Sequence, residues 1–380
     1  MASRRSTTAA LAVFALAGGC TPDAGPIVIG LAGPFSEARG ESMRLAAELA
    51  RDEINGAGGI GGRKIELRIV DDSANADAAV RGASALVADR EVVAVVGHLT
   101  SGATLAAAPV YDRGDDPVVA ITPSASSPEV ALAGEWIFRL CPTDLLHGTK
   151  LGEFAARELG ARRAAVLYHN DEYGRGVRST FEERFVAAGG TVVGSDPYLP
   201  GTPNVRPYLE RLVRRGAQAI LVAGHRTEAE RIIATLDSMG ISLPILGADG
   251  LTGITAPAGY TAPIYVTNVY ERDGRGARNQ AFRAAYRTAH GERVPDHRGA
   301  GAYDAVHLIA KGIESVGADR AALRDWLAGV GGATAAYEGV LGRVAFDENG
   351  DVRDGNVVVY QANAAAREGL RTTTSAALAR

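Results

Sequence analysis

The sequence predicts an α/β protein built as two doubly wound, parallel-sheet lobes. Three observations carry this reading. Short apolar runs of strand length alternate with amphipathic helical runs along most of the chain. The alternation occurs on both sides of residue 144, so two related units follow one another. The chain has 380 residues, 46% hydrophobic and 22% charged, enough apolar material for two or three domains without disulfides.

The elements follow in order. Ile27–Leu31 reads as a short apolar strand, and Glu41–Ile54 sets Met43, Leu45, Ala46, Leu49, Ala50 and Ile54 at helical spacing. Lys64–Val70 is a strand, Asp77–Ala88 a helix and Val92–Val96 a fully buried strand. Helix Ser101–Tyr111, strand Val118–Ile121, helix Leu146–Leu159 and strand Ala164–Tyr168 continue the pattern. Then come helix Val177–Ala187, strand Thr191–Val193, helix Val205–Arg214, strand Ala219–Val222, helix Thr227–Met239 and strand Pro244–Leu246. Apolar strands separated by helices belong to parallel sheets covered on both faces. Helices dominate from Ala277 to Leu327. A hairpin is expected to close the chain: Gly342–Phe346, a turn at Asp347-Glu348-Asn349-Gly350, and Asn356–Gln361, because Asn-Gly favours the tight turn. The Ala- and Thr-rich segment 362–380 is expected to be a frayed tail.

The first residues differ in kind. Arg4 and Arg5 precede an apolar run from Ala9 to Ala17, then Gly18, Gly19 and Cys20. That run is too short to span a bilayer and reads as a signal peptide over residues 1–19. A Cys after small residues resembles a bacterial lipobox, so Cys20 is expected to carry lipid and 20–25 to form the anchoring linker. Leu16 lies one position upstream of its usual place in that motif. Cys141 is then alone and is expected to be a small buried apolar group.

Several function classes fall away. A net charge of -4 without a basic stretch argues against nucleic acid. Seven scattered histidines, with no HExxH or CxxC, predict no metal site and no cofactor. Gly56-Ala57-Gly58-Gly59-Ile60-Gly61 matches a dinucleotide pattern, but a helix precedes it and a strand follows, the reverse of the context phosphate binding needs. It reads as a helix-stopping turn. No nucleophile–base set appears, and His98 near Ser101 is expected to be solvated or to cap a turn.

Ligands of open α/β sheets bind beyond the carboxyl ends of strands. Three such ends are chemically suited. Ser101 follows strand Val92–Val96 at a helix N-terminus, which favours an anion. The loop Thr122–Pro128 offers hydroxyls and backbone amides at Ser124, Ala125 and Ser126 to the same anion. Asp249 follows strand Pro244–Leu246 and is suited to an ammonium. Each has an ordinary alternative as a helix cap or a turn former. Together they suit a zwitterion.

These marks, in this order, resemble the branched-chain amino-acid-binding (leucine/isoleucine/valine) family of type I periplasmic solute-binding proteins. The resemblance runs from Ile27 to Gln361. It includes Ile29–Ser36, Glu53-Ile54-Asn55 with Gly58-Gly59-Ile60, Asp71-Asp72, Val96–Leu99 and the Ser/Pro loop at 122–128. Further on it includes Asp171–Gly174, Gly301–Ala305 and Phe346–Gly350.

The resemblance implies two lobes joined by three crossovers, near residues 141–145, 268–274 and 332–340. Lobe one would take 26–143 plus 272–334, and lobe two 144–271 plus 335–361. It also implies a non-enzymatic protein, lipid-anchored outside the cytoplasm. Such a protein closes on a small amino-acid-like ligand and delivers it to an ABC permease, and it is expected to work as a monomer. Carried over by position, Ser101, Ser124 and Ser126 meet the ligand carboxylate and part of its amine. Asp249 meets the ammonium, and Tyr173 lies on the second lobe's side. Arg39, His225 and Arg298 fall near positions usually aromatic, so either the arginines turn to solvent or the ligand brings a polar or acidic group to meet them. Thr100 stands at one of the family's cysteine positions, so the family's disulfide is absent. Two readings stay open beside this one: the same fold holding an amide, urea or aromatic acid, and a receptor subunit that reports ligand to a membrane sensor.

Overall fold

The computed structural model describes residues 25–199, 201–270, 276–353 and 355–363. Signal peptide, Cys20 and most of the expected tail lie outside them. None of the described helices is long and apolar enough to cross a membrane.

The first sheet is made by β1 (Ile27–Gly33), β2 (Ile65–Asp71), β3 (Val92–Val96), β4 (Val119–Thr122) and β5 (Ile137–Arg139), with α1 (Ala38–Gly56), α2 (Ala76–Ala88) and α3 (Ser101–Asp112) between its strands. Its order is β2-β1-β3-β4-β5, all parallel. β1, β3, β4 and β5 are buried throughout, as strands covered on both faces must be. The turn after α1 is a helix stop, as its context predicts. Gly59 takes φ +77°, where a Cβ would come within 2.1 Å of the Arg63 carbonyl.

The second sheet repeats the plan. After α4 (Asp144–Arg157) come β6 (Arg163–His169), α5 (Glu172–Ala187), β7 (Thr191–Tyr198), α6 (Arg206–Arg214), β8 (Ala219–Ala223), α7 (Arg226–Ser238), β9 (Ile245–Gly247) and β10 (Ile264–Asn268). Reading β7-β6-β8-β9-β10 gives the same strand order as the first sheet. Both sheets therefore reverse direction beside their first strand, between β1 and β3 and between β6 and β8. Those switch points are where such sheets open a ligand crevice. The chain then returns to the first lobe. α8 (Ala277–His290) and α9 (His297–Val316) pack on α1, and α10 (Arg320–Ala328) packs on α9. Leu308, Ile309 and Leu323 share one core with Ile29, Leu31 and Val96.

The closing hairpin does not form as expected. The Asp347–Gly350 turn is present, with Gly350 N–H donating to the Asp347 carbonyl and Phe346 bridging Val352. A two-residue ladder precedes it, β11 (Tyr337–Glu338) with β12 (Arg343–Val344). The last strand, β13 (Val358–Gln361), instead lies antiparallel on β10 as an edge of the second sheet. An exposed edge strand offers unpaired N–H and C=O groups, and β10 supplied the partner that the turn signal alone did not name.

The third crossing is displaced with it. Tyr337, Val344 and Phe346 belong to the first-lobe core, and the Arg139 N–H donates to the Gly350 carbonyl. Segment 335–353 thus packs on lobe one, and the chain leaves for lobe two after Arg353, not at 332–340.

Candidate functional site

Each wall of the interlobe cleft is built where a strand ends and a helix begins. On lobe one, β3 leads into α3. Thr100, not Ser101, is the cap: its hydroxyl accepts the Ala103 N–H at 3.4 Å. Ser101 is the first helical residue, and its Oγ accepts the Ser127 N–H at 3.1 Å. Among the described residues, nothing takes the Ser101 and Gly102 N–H groups, the orphan donors that a helix start leaves for an anion.

On lobe two, Asp171 caps α5, accepting the Gly174 N–H at 2.7 Å. Tyr173 follows in the first turn. Gly174 is needed there, since a Cβ would fall 2.1 Å from the His169 carbonyl. Tyr173 Oη donates to Asp249 Oδ1 at 2.9 Å and accepts the Gly250 N–H at 2.8 Å. Its ring stacks on His225 at 5.4 Å, 11° from parallel.

The cleft encloses about 390 Å³, its open mouth included, and is lined by Ser101, Ser124, Tyr173, His225, Asp249, Arg39 and Arg298 together with Leu99, Thr100, Asp171 and Gly250. Seven predicted residues thus meet in one place. Two do not. Ala125 and Ser126 are fully buried behind the wall. Arg139 holds that loop inward, donating to the Ser127 carbonyl at 2.7 Å and the Ala125 carbonyl at 3.3 Å. The Ser124 and Ala125 N–H groups, expected to meet an anion, already donate to Thr122 Oγ1.

Asp249 is the electrostatic centre. Burial alone would raise its pKa, but His147, His297 and Arg298 outweigh burial and hold it well below the ordinary carboxylate range. His297 crosses from α9 of lobe one. Its Nε2 lies 3.3 Å from Asp249 Oδ2 and 3.4 Å from Ser124 Oγ, and its Nδ1 lies 3.4 Å from Thr252 Oγ1. His297 was not singled out in the sequence, although it neighbours Arg298. Asp171, named only within a motif, accepts from His169 at 2.8 Å. It lies 3.4 Å from His225 Nε2.

The arginines line the cleft, yet neither is unpaired. Arg298 is buried and donates to Asp296 at 2.8 Å. Burial would lower its pKa, but Asp296 and Asp249 keep it raised. Arg39 donates to Glu37 at 2.6 Å.

His98 is neither solvated nor a cap. It is fully buried, with Nδ1 2.6 Å from Asp72 and Nε2 3.0 Å from the Tyr111 hydroxyl. Both nitrogens are occupied, so no Ser–His pair forms with Ser101.

Comparison with known proteins accords with this geometry. A periplasmic binding protein family model matches residues 26–367. A leucine-, isoleucine-, valine-, threonine- and alanine-binding protein of Pseudomonas aeruginosa is 31% identical over 346 residues, 88% of this chain and 89% of that protein. An ABC transporter substrate-binding protein of Desulfitobacterium hafniense, solved with Leu, superposes with a TM-score of 0.74 at 29% identity. That match covers 88% of this chain and 97% of the other. LivJ, a branched-chain amino acid transporter substrate-binding protein of Streptococcus pneumoniae solved with isoleucine, gives 0.78 at 27% identity, covering 88% and 95%.

Proposed function

The chain belongs to the periplasmic binding protein family, and from that premise we propose that it binds a free α-amino acid between its lobes for delivery to a membrane permease. It is a substrate-binding protein of the ABC-transporter type, a non-enzymatic and extracytoplasmic component. One observation carries the ligand class. A buried carboxylate, Asp249, held ionised on lobe two, faces the open N-terminus of α3 on lobe one. That pairing is complementary to an ammonium and a carboxylate one carbon apart.

The side-chain end of the cleft carries Arg39, Asp171 and His225. Burying an unpaired guanidinium is costly, but Glu37 and Asp296 already answer both arginines. An acidic ligand is therefore not required, and a polar side chain fits the mixed charge of that wall. The lipobox-like Cys20 supports a lipid anchor that keeps the protein at the membrane face where a permease would meet it.

A ligand panel tests the reading. Thermal unfolding is followed with single amino acids, their decarboxylated and N-acylated analogues, benzoate and short amides. Binding raises stability by RT ln(1 + [L]/Kd). Intact amino acids should raise the midpoint, while analogues lacking either charge should not. A shift with benzoate or an amide, and none with any amino acid, would replace the amino-acid reading by the aromatic-acid or amide one.

A further inference from the structure

His169 and Asp171, two residues apart in sequence, meet the distant His225 at the carboxyl ends of two paired strands of lobe two. His169 is the last residue of β6, Asp171 precedes α5, and His225 lies between β8 and α7. Asp171 Oδ2 lies 2.8 Å from His169 Nδ1 and 3.4 Å from His225 Nε2. All three donor atoms fall within 4.8 Å of one another. A tetrahedral ion about 2.0–2.2 Å from nitrogen and oxygen ligands needs ligand atoms about 3.3 Å apart. The 2.8 and 3.4 Å separations from Asp171 Oδ2 lie on either side of that spacing.

The surroundings fix each ligand from behind. Asp171 Oδ1 is committed to the Gly174 N–H, which leaves Oδ2 as the oxygen that faces both imidazoles. The His169 ring packs against Tyr198 at 5.7 Å, and the His225 ring against Tyr173 at 5.4 Å. The side chains are 14%, 28% and 22% exposed for His169, Asp171 and His225, so an ion can reach them. Asp171 and His225 line the cleft, and so any fourth ligand would come from that side. The cleft's two arginines are engaged elsewhere, Arg39 by Glu37 and Arg298 by Asp296. Two imidazoles and one carboxylate form a donor set suited to zinc and its neighbours rather than to calcium or magnesium.

We propose that His169, Asp171 and His225 bind one divalent transition-metal cation of the zinc–cobalt class, with the fourth position open to the cleft. This goes beyond the amino-acid reading: Asp171 and His225 also line the cleft, but neither Asp249 nor Ser101 takes part.

The test uses the untagged full chain, stripped with a chelator and titrated with cobalt(II), with visible absorption and calorimetry as readouts. Saturable visible bands at one cobalt per chain, displaced by zinc, are expected. In His169→Ala the affinity should fall beyond the roughly 10–100-fold that follows loss of a group merely supporting a ligand. Asp171→Asn keeps an acceptor for the Gly174 N–H and so guards against misfolding, and it too should weaken binding. Wild-type affinity should drop as pH is lowered, because protons compete for the imidazoles. Absence of bands into the millimolar range, or bands unchanged in both variants, would overturn the proposal and leave the trio a hydrogen-bonded clasp.

Discussion

Two carboxylates are shut away from water where the lobes meet. Asp249, 2% exposed, accepts from Tyr173 and lies against His297. Asp144, 0% exposed, opens α4 just past the first crossing, and neither of its oxygens has a hydrogen-bond partner among the described residues. Burial pushes both pKa values up, yet only Asp144 ends well above the ordinary value, the nearby Ser126 hydroxyl offsetting this in part. Asp249 ends well below it, because imidazoles and a guanidinium face it. Depth is the same and partners differ. A dry carboxylate keeps its charge only where donors are built around it. The cleft has that machinery, and the crossing does not. The charge at Asp249 is thus held by its neighbours, while burial disfavours charge on Asp144.

The largest expected effect comes from removing the charge in the cleft. Asp249→Ala should cost about 2–5 kcal/mol of amino-acid affinity, the usual loss when one partner of a buried charge pair is truncated. Calorimetry reads this directly, and an unchanged affinity would take Asp249 out of the site.

The contrast with Asp144 is sharpened by pH. A raised folded pKa contributes stability below the unfolded value, and that stability is lost as pH rises toward the folded value. Asp144→Asn cannot ionise. From about pH 4 upward, wild type should therefore lose about 1.4 kcal/mol per pH unit relative to the variant, until the folded pKa is passed. Asp249 behaves oppositely: its contribution is present above the ordinary carboxylate value and is lost as pH falls below it. Denaturant unfolding of wild type and Asp144→Asn at unit steps of pH checks this. A difference that stays flat would mean that Asp144 is charged after all.

The smallest effect concerns Arg39, which is 24% exposed and paired with Glu37. Arg39→Ala should change the preference between acidic and apolar amino acids by no more than about 1 kcal/mol, as for a partly solvated ion pair. A larger loss confined to acidic ligands would show that Arg39 binds the ligand directly and would restore the acidic-ligand expectation.

The alternating strands and helices were readable because their periods are local. Val92–Val96 is the same strand in both readings, and the Ser101 helix begins where its sequence places it. The strands at Ile137–Arg139 and Ile264–Asn268 went unread. The first is three residues long, too short for a period, and the second follows a Pro- and Gly-rich stretch that reads as loop. The loop at 122–128 borders the cleft through Ser124, but its alternation does not say which hydroxyl faces outward. Arg139, 12 residues past Ser127, decides that by pulling the Ala125 and Ser127 carbonyls inward.

The sequence by itself determined the paired α/β lobes and the family marks, and it singled out Ser101 and Asp249, which the structure brings to one cleft. These depend on residue types at short spacing, and short-range pattern is what hydrophobic period and capping encode. Only the tertiary structure decided that β13 pairs with β10, that 335–353 stays on lobe one, and that His297 reaches across to Asp249. It alone brought His169, Asp171 and His225 together. Each of these is a meeting of segments distant along the chain. An apolar period names the face a strand or helix will bury, but not the partner that buries it. That choice falls to whichever distant edge or side chain leaves fewest polar groups unpaired in the closed molecule.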